Sequence, residues 1–411
     1  MNRFTYTLLL RLALPFVLAR LWWRGRRESG YRRGIAERLG VYAIERPEKL
    51  LWVHAVSVGE VRASAPLVRA LQEAAPDHKM LMTCTTAAGR ETIQQVYGDS
   101  VLASYLPYDY PGAARRFLEY FRPRLGVLME TEIWPNLLAE CRAASVPVLL
   151  ANARMSEKSA AGYTRWPDLM RPAFASLAAV CAQSADDAGR LRQLGAPSPE
   201  ITGNLKFDAT PDAAQVAAGE QWRQALGRAV VLLASTRESE ERMLLEDFKE
   251  LDALIVVVPR HPQRFEEVAA LAGERRTAQA MPSAQTRVYL GDTMGEMAFY
   301  YGACDVAVIG GSFAALGGQN LIEALACGAA VVTGPSMFNF AEATRLAVEA
   351  GAALQCAGPE AAASATRDLL ADPQRRQAMS RAGKALCEAH RGATERHMKV
   401  CLRLLRERAR G

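Results

Sequence analysis

The sequence predicts an α/β protein in which two doubly wound, Rossmann-like domains follow an apolar N-terminal helix. The chain has 411 residues, which is more than a single hydrophobic core usually serves. In both halves, short apolar runs alternate with segments of helical periodicity, the pattern of parallel strands joined by crossover helices. A stretch rich in Ala, Asp and Pro at residues 209–218 separates the two series and is typical of an interdomain linker.

Composition and charge argue against several other classes of protein. The net charge of +6 is concentrated in seven arginines between Arg20 and Arg38, and the rest of the chain is close to neutral. We therefore expect no nucleic-acid surface, whereas a basic band beside an apolar segment indicates anionic lipid. The eight cysteines form no C-x-x-C pair and the five histidines lack the spacing of metal ligands, so we expect reduced thiols and no metal site.

Residues 1–30 are predicted to be a membrane anchor with a basic flank. Phe4–Trp23 is largely apolar and just long enough to span a bilayer, although Arg11 would be costly near its centre. The paired tryptophans at its end and the arginines that follow are typical of a membrane interface and its cytoplasmic side. We expect an uncleaved anchor that spans the membrane or lies in its interface. A merely buried first helix is the alternative.

Residues 31–208 are predicted to form the first domain. Its strand-like runs are Leu51–Val53, Met80–Thr83, Val101–Tyr105, Leu125–Met129, Val146–Ala151 and Leu177–Ala182. Polar residues follow several of these runs, at the carboxyl edge where parallel sheets bind ligands. Glu60 opens a helix after the first run, so helix capping competes with a catalytic role, and the helix dipole is expected to keep its carboxylate ionised.

Two further groups in this domain are candidates for a site. Glu130 leaves the fourth strand and is expected to face the ligand crevice, whereas Glu132 is expected to cap the following helix. Lys206 lies between apolar neighbours ahead of the linker. It could reach inward or remain an exposed surface charge.

Residues 219–411 are predicted to form the second domain, with a helical C-terminal end that could pack back on the first. Pro259-Arg260-His261-Pro262 is a stiff segment that holds Arg260 beyond a strand, where it could pair with phosphate or carboxylate. Later, glycines at Gly317-Gly318 open a helix, so backbone amides could approach a phosphate and Glu323 could accept hydrogen bonds from ribose. Neither a P-loop nor a strand-bound G-x-G-x-x-G is present, which disfavours ATP hydrolysis and dinucleotide chemistry.

Eight motifs, in order along nearly the whole chain, resemble those of bacterial 3-deoxy-D-manno-octulosonic acid (Kdo) transferases. They are WVHAVSVGE (52–60), METEIWPNL (129–137), NARMSEKSAAGY (152–163), GNLKFD (203–208), VPRHPQRF (258–265), GDTMGE (291–296), GGQNLIEALA (317–326) and MFNFAEA (337–343). The resemblance implies a two-domain GT-B glycosyltransferase, with the acceptor bound by residues 31–208 and the donor by residues 219–411. It implies transfer of Kdo from CMP-Kdo to lipid IVA, with inversion and without metal or cofactor, at the cytoplasmic side of the inner membrane.

The resemblance also implies roles for single residues. Glu60 matches the general base, and Glu130 and Lys206 match positions that support the transition state. The residues that match CMP-contacting positions are Pro259, Arg260, Met294, Gly295, Glu296, Asn320, Leu321, Ile322 and Glu323. The chain departs from the common motif at Gln319 and Leu321, where the family often has His and Pro. Without a metal, the charge of the CMP phosphate would be met by Arg260, Lys206 and the amides of residues 317–320.

Two other functions are compatible with the same sequence. One is a GT-B enzyme that uses a UDP-sugar, which a titration of CMP against UDP would distinguish. The other is a catalytically silent membrane-surface protein that keeps the fold for lipid or partner binding. The joint presence of Glu60, Lys206, Arg260 and Glu323 favours an enzyme.

Overall fold

The structure is a computed structural model that describes residues 1–26, 34–44 and 46–410, without the side chains of residues 409 and 410. Two parallel sheets organise the molecule. The chain divides into two units. The first comprises Met1–Asp208 and the C-terminal segment from Gly392, and the second comprises Ala209–Arg391. Arg27, Arg32 and Arg33 of the predicted basic cluster lie outside the described residues.

The first unit contains a seven-stranded parallel sheet in the order β3-β2-β1-β4-β5-β6-β7. Its strands are β1 Leu50–His54, β2 Lys79–Cys84, β3 Val101–Tyr105, β4 Leu125–Met129, β5 Val148–Ala153, β6 Ala179–Ala182 and β7 Glu200–Ile201. Its helices are α1 Arg3–Arg24, α2 Ile35–Arg38, α3 Val58–Ala63, α4 Ala65–Ala74, α5 Ala87–Tyr97, α6 Pro111–Phe121, α7 Pro135–Ala143, α8 Glu157–Thr164, α9 Pro167–Ala175 and α10 Ala185–Gln193. A 3₁₀ turn at Leu205–Asp208 ends the segment.

The second unit contains another seven-stranded parallel sheet, in the order β10-β11-β9-β8-β12-β13-β14. Its strands are β8 Val230–Thr236, β9 Leu254–Pro259, β10 Glu274–Arg275, β11 Val288–Leu290, β12 Val306–Ile309, β13 Ala330–Thr333 and β14 Ala353–Gln355. Its helices are α11 Ala213–Leu226, α12 Glu240–Asp247, α13 Phe265–Ala269, α14 Met297–Ala303, α15 Leu321–Cys327, α16 Ala341–Glu349, α17 Pro359–Ala371 and α18 Pro373–Ala389. The predicted fold class, two Rossmann-like units after an apolar helix, is confirmed.

The strands are apolar on both faces because helices cover both sides of each sheet. In β1, Leu50 and Trp52 face one hydrophobic cluster, and Leu51 and Val53 face the other. The last helix, α19 Ala393–Arg410, supplies Met398, Val400, Cys401 and Leu404 to the second of these clusters. The C-terminal helix therefore belongs to the core of the first unit, the packing that the sequence had left open for the end of residues 219–411.

The predicted linker begins where the chain passes from the first unit to the second, and from residue 213 onward it is part of helix α11. Asp212 caps α11 by accepting hydrogen bonds from the N–H groups of Ala214 and Gln215. Small residues serve a close helix contact here, because a Cβ on Gly219 would lie 2.1 Å from the carbonyl oxygen of Phe299 in α14. A small residue immediately after the predicted linker thus serves the packing between α11 and α14.

Helix α1 is long and apolar enough to cross a membrane, judged by length and composition. Phe4 and Phe16 are more than 70 % exposed, so much of its apolar surface has no protein covering. The helix nevertheless contacts the first unit, because the Tyr110 hydroxyl donates to the carbonyl of Leu10 at 2.8 Å. Arg38, by contrast, is buried with its guanidinium 3.9 Å above the ring of Tyr105, so it does not contribute to a lipid-facing band.

Candidate active site

The first candidate site lies at the carboxyl edge of the first sheet, where the strand order reverses. Strands β1 and β4 are neighbours there, and the chain leaves them in opposite directions to cover the two halves of the sheet. Ligands of open α/β sheets bind at such switch points because the diverging connections leave a crevice. Glu60 follows β1 and Glu130 follows β4, so the fold brings these two predicted residues to the same point.

Glu60 is a capping residue as well as a site residue. Ser57 is the N-cap of α3, and its hydroxyl oxygen accepts from the Glu60 N–H at 3.4 Å. The Glu60 carboxylate in turn accepts from the Val56 N–H at 2.8 Å and from the Ser57 hydroxyl at 3.2 Å. This reciprocal pattern is a capping box displaced by one residue, and it holds the carboxyl group in one orientation.

Burial raises the pKa of Glu60 to about 8, and the negative charges of Glu130 and Glu132 add to the effect. The hydrogen bonds from Val56 and Ser57 lower this pKa, but by less than burial raises it. The expectation that the helix start keeps Glu60 ionised is therefore wrong. A helix dipole is worth a fraction of a kcal/mol to about 1 kcal/mol, and desolvation of a carboxylate outweighs it.

Glu130 and Lys206 form an ion pair beside Glu60. The Lys206 Nζ donates to Glu130 Oε1 at 2.8 Å, and their side chains are only 15 % and 14 % exposed. Burial pushes the pKa of Glu130 upward, but the charge and hydrogen bond of Lys206, with the charge of Arg154, outweigh burial and leave it lowered. Of the two orientations left open for Lys206, the inward one is observed.

Glu132 does not cap the next helix. Its carboxylate accepts from the indole N–H of Trp134 at 3.0 Å, and burial with the charge of Glu130 raises its pKa to about 7. The start of α7 is instead capped by Asp109, which accepts from the N–H groups of Asn136 and Leu137. Asp109 lies 26 residues before Pro135, and no local pattern identifies such a distant cap.

The second candidate site lies at the switch point of the other sheet, between β8 and β12. The buried carboxylate of Glu240 accepts from the backbone N–H groups of Gly311, Phe313 and Ala314, and from that of Arg237. One side chain thus fixes the loops that follow both strands. No local pattern in the sequence predicts this role, because three of the four N–H groups come from residues more than 70 positions away.

The predicted donor-binding residues lie on segments that follow strands β9, β11 and β12 of this unit, with different degrees of exposure. Pro259 ends β9, Arg260 follows it, Met294 is exposed, and Gly295 has a left-handed backbone with φ of 84°. The Glu296 carboxylate accepts a hydrogen bond from the Thr293 hydroxyl and forms an ion pair with Arg276. Burial pushes the pKa of Glu296 upward, but these two contacts outweigh burial and leave the pKa lowered.

At the start of α15 the predicted residues divide between core and surface. Asn320 caps the helix by accepting from the Ile322 N–H at 3.2 Å. Leu321 and Ile322 are fully buried, so only their backbone could contact a ligand. Glu323 is half-buried. Burial raises the pKa of the neighbouring Tyr301 most; the charge of Glu323 raises this pKa further, and the charge of Arg260 lowers it.

The glycine-rich turn before α15 uses its amides to fold. The N–H groups of Gly317, Gly318 and Gln319 donate to the Ser336 hydroxyl and to the carbonyls of Gly311 and Gly310. These three amides are committed to internal hydrogen bonds, so assigning them to the CMP phosphate was wrong. A Cβ on Gly318 would lie 2.1 Å from Met337 Sδ, which explains why the turn requires glycine. Within residues 1–26, 34–44 and 46–410, no group of three His, Cys, Asp or Glu side chains is arranged to hold a metal.

Comparisons with known proteins identify the two units separately. A family model described as 3-deoxy-D-manno-octulosonic-acid transferase (kdotransferase) matches residues 33–209. A model described as glycosyl transferases group 1 matches residues 246–386. Among solved structures, S. aureus MnaA with UDP has a TM-score of 0.60 at 16 % identity, covering 87 % of this chain and 97 % of that one. This likeness shows the fold, which is of the two-unit GT-B type.

Two curated relatives match almost end to end. The chain is 46 % identical to the 3-deoxy-D-manno-octulosonic acid transferase of Bordetella pertussis, over 96 % of this chain and 98 % of the relative. It is 35 % identical to the enzyme of the same name from Haemophilus influenzae, over 96 % and 97 % of the two chains. The chain therefore belongs to the 3-deoxy-D-manno-octulosonic acid transferase family and is a glycosyltransferase.

Proposed function

We propose that the protein transfers Kdo from CMP-Kdo to lipid IVA, the lipid A precursor, in lipopolysaccharide core biosynthesis. The observation that carries this proposal is the carboxyl group of Glu60, held at the switch point of the first sheet beside the Glu130–Lys206 ion pair. The family relationship supplies the Kdo donor class, and the nucleotide in CMP-Kdo follows from the motifs in the second unit.

Glu60 acts as the general base. A sugar hydroxyl has a pKa far above neutrality, so its attack on the anomeric carbon requires a group that accepts the proton as the bond forms. A carboxylate whose pKa is about 8 is a stronger base than an ordinary one, because its surroundings favour the protonated form. Direct attack by the activated hydroxyl on the carbon that bears CMP inverts the configuration.

The ion pair and the second unit supply the remaining charges. Lys206, held by Glu130, provides a fixed positive charge near the base and supports the developing transition state. In the second unit, Arg260 follows β9 and is assigned to the phosphate of CMP, since the nearby amides of Gly317–Gln319 are already used. Glu323 and Glu296 are assigned to the hydroxyl and base groups of the nucleotide.

The enzyme acts at the cytoplasmic face of the inner membrane, with α1 as its anchor. The exposed apolar side chains of α1, which include Leu12 and Phe16, support insertion, and Arg26 with the tryptophans at the end of α1 suits an anionic interface. Flotation with vesicles of neutral or anionic lipid tests this assignment. Protein that stays with the aqueous fraction in both cases would contradict it.

The direct test of function is mass spectrometry of lipid IVA incubated with the enzyme and CMP-Kdo. We expect products heavier by one or more Kdo residues, and Glu60→Gln should lower kcat by about 10³-fold or more, within the range associated with loss of a general base. Calorimetry should show unchanged affinity for CMP. Glu73→Gln removes an exposed carboxylate of the same unit and is the matched control. Substantial transfer by Glu60→Gln would remove Glu60 from the role of base, and preference for UDP over CMP would contradict the donor.

A further inference from the structure

A buried histidine from the C-terminal helix reaches the same edge of the first sheet. His397 in α19 is fully buried. Its Nδ1 lies 2.7 Å from the carbonyl of Ala393, and its Nε2 lies 2.9 Å from the N–H of Asn152. The carbonyl can only accept and the amide can only donate, so Nδ1 carries the proton and Nε2 is the acceptor. Burial lowers the pKa of His397 to about 4, which keeps the ring neutral at physiological pH.

Asn152 is the point where strand β5 departs from regular geometry. Its φ of 52° is left-handed, and the pairing between β5 and β6 shifts register between Leu150 and Ala153. The irregular backbone takes the Asn152 N–H out of the strand ladder, and the His397 ring accepts it instead. Non-glycine residues persist in this conformation where surrounding contacts enforce it, and they are concentrated at functional sites.

Asn152 connects to both members of the ion pair. Its side-chain oxygen accepts from the N–H of Leu205 at 3.0 Å, immediately before Lys206. The carbonyl of the preceding residue, Ala151, accepts from the N–H of Glu130 at 2.9 Å. Hydrogen bonds therefore connect residues 151–152 both to the backbone of Glu130 and to the backbone immediately before Lys206.

A second route reinforces the first. The Asn152 carbonyl accepts from the Gln183 amide, whose oxygen accepts from the side chain of Asn204. The Asn204 oxygen then accepts from the N–H of Lys206 at 3.0 Å. A lysine is a point charge on a flexible stem, so the position of its ammonium depends on how firmly its backbone is held.

We propose that His397 is a positioning residue, which acts through Asn152 to hold Lys206 against Glu130. This inference rests on the proposed function in one respect, the role of the Glu130–Lys206 ion pair in supporting transfer. Removal of the His397 acceptor frees the Asn152 backbone and weakens the attachment of the Leu205 N–H to the Asn152 side chain. Glu130 then has less compensating charge, and its effect on Glu60 increases.

The test compares His397→Leu, which removes the acceptor, with His397→Gln, whose amide oxygen can replace Nε2. We expect His397→Leu to lower kcat by about 10-fold to 100-fold with KM for CMP-Kdo nearly unchanged, and His397→Gln to recover most of it. Met398→Ala is the matched control, because it removes a neighbouring core side chain of α19 without touching Asn152. It should lower the unfolding midpoint and leave kcat near the wild-type value.

A second measurement is independent of turnover. The titration of the Glu60 carboxyl can be followed by ¹³C NMR with labelled glutamate and assigned with Glu60→Gln. His397→Leu should move this titration to higher pH by about half a unit or more, because Glu130 and Glu132 are the carboxylates that face Glu60. A His397→Leu protein with wild-type kcat and wild-type Glu60 titration would overturn the inference. Failure of Kdo transfer by the wild-type enzyme would instead contradict the proposed function.

If His397→Leu does not fold, Asn152→Gly tests the same connection from its other side. Glycine accepts the left-handed backbone and keeps the N–H for His397, but it lacks the oxygen that binds the Leu205 N–H. We expect the same loss of kcat and the same shift of the Glu60 titration. Wild-type behaviour of Asn152→Gly in both measurements would also overturn the inference.

Discussion

At the scale of single residues, Glu60 has the capping contacts that the sequence left as one of two alternatives, and the catalytic role remains the proposed one. Its position after β1, at a helix start, could be predicted, because a small polar turn follows a buried strand. Its protonation state could not, since it depends on burial and on Glu130, a residue 70 positions away in the sequence. Lys206 shows the same limit, because only the fold reveals that it pairs with Glu130.

The charges around Glu60 predict the pH dependence of transfer. The base must be deprotonated, so kcat/KM should rise with pH along a limb whose apparent pKa is near 8. The negative charge of Glu130 raises the pKa of Glu60, so Glu130→Gln should move this limb to lower pH. Glu132→Gln should move it in the same direction by less, and Glu73→Gln not at all. A limb that stays in place in Glu130→Gln would show that Glu60 is not the titrating group.

The same carboxyl group predicts a cost in stability. Its pKa is raised in the folded state, so the folded protein binds the proton more tightly than the unfolded chain, and stability is lost as pH rises from about 4.5 to about 8. Glu60→Gln should abolish this loss and gain stability over the wild type on the order of 4 kcal/mol at pH 8, since the pKa rises from 4.5 to about 8 and one pKa unit corresponds to about 1.4 kcal/mol. Urea unfolding at pH 5 and pH 8 measures the difference. An equal gap at both values would contradict the sign.

At the scale of elements, each site is built where two neighbouring strands send their connections apart. The sequence predicts that polar residues follow strands β1, β4 and β9, because apolar runs end there. It does not predict how the following turns use their hydrogen-bonding groups. The turn at Gly317-Gly318 resembles an anion cradle in sequence, yet its amides complete the fold of the loop itself.

The carboxylate of Glu240 joins two loops, because it accepts hydrogen bonds from four of their backbone N–H groups. Glu240→Gln replaces one carboxylate oxygen, an acceptor, by the NH2 group of an amide, which can only donate. The buried N–H groups that this oxygen had accepted are then left without partners. We expect a loss of unfolding free energy of about 2–4 kcal/mol and at least about 10-fold weaker CMP binding.

Glu246→Gln, on the exposed side of the same helix, is the control and should change both quantities little. Thermal unfolding and calorimetry with CMP measure the two effects. Unaltered CMP affinity in Glu240→Gln would show that the loops it joins do not bind the nucleotide.

At the scale of the whole molecule, the sequence predicts the two sheets, but it predicts the boundaries between the two units only in part. Alternation of strands and helices follows from local apolar patterns, which the chain displays clearly. The membership of α19 depends on contacts between Met398 or Leu404 and strands more than 250 residues earlier, which no local pattern contains. The helical start of α11 within the predicted linker at residues 209–218 was not foreseen for a related reason, since its close packing involves the distant helix α14.

Deletion of residues 392–411 should therefore damage the first unit and spare the second. The deletion exposes the face of the first sheet that contains Val53 and Val127, and it removes the acceptor for the Asn152 N–H. Hydrogen exchange followed by mass spectrometry should show protection lost in β1, β4 and β5 and retained in β8, β9 and β12. Equal loss of protection in both sheets would contradict the assignment of α19 to the first unit alone.

The place of α19 also determines the order in which a newly made chain can fold. The second unit is continuous in sequence and can form before α19 has been synthesised, whereas the first unit needs α19 to cover its sheet. Until α19 has been synthesised, the first sheet keeps an uncovered apolar face that chaperones and proteases recognise. A chain that stops before α19 retains that face, so its first unit is open to degradation.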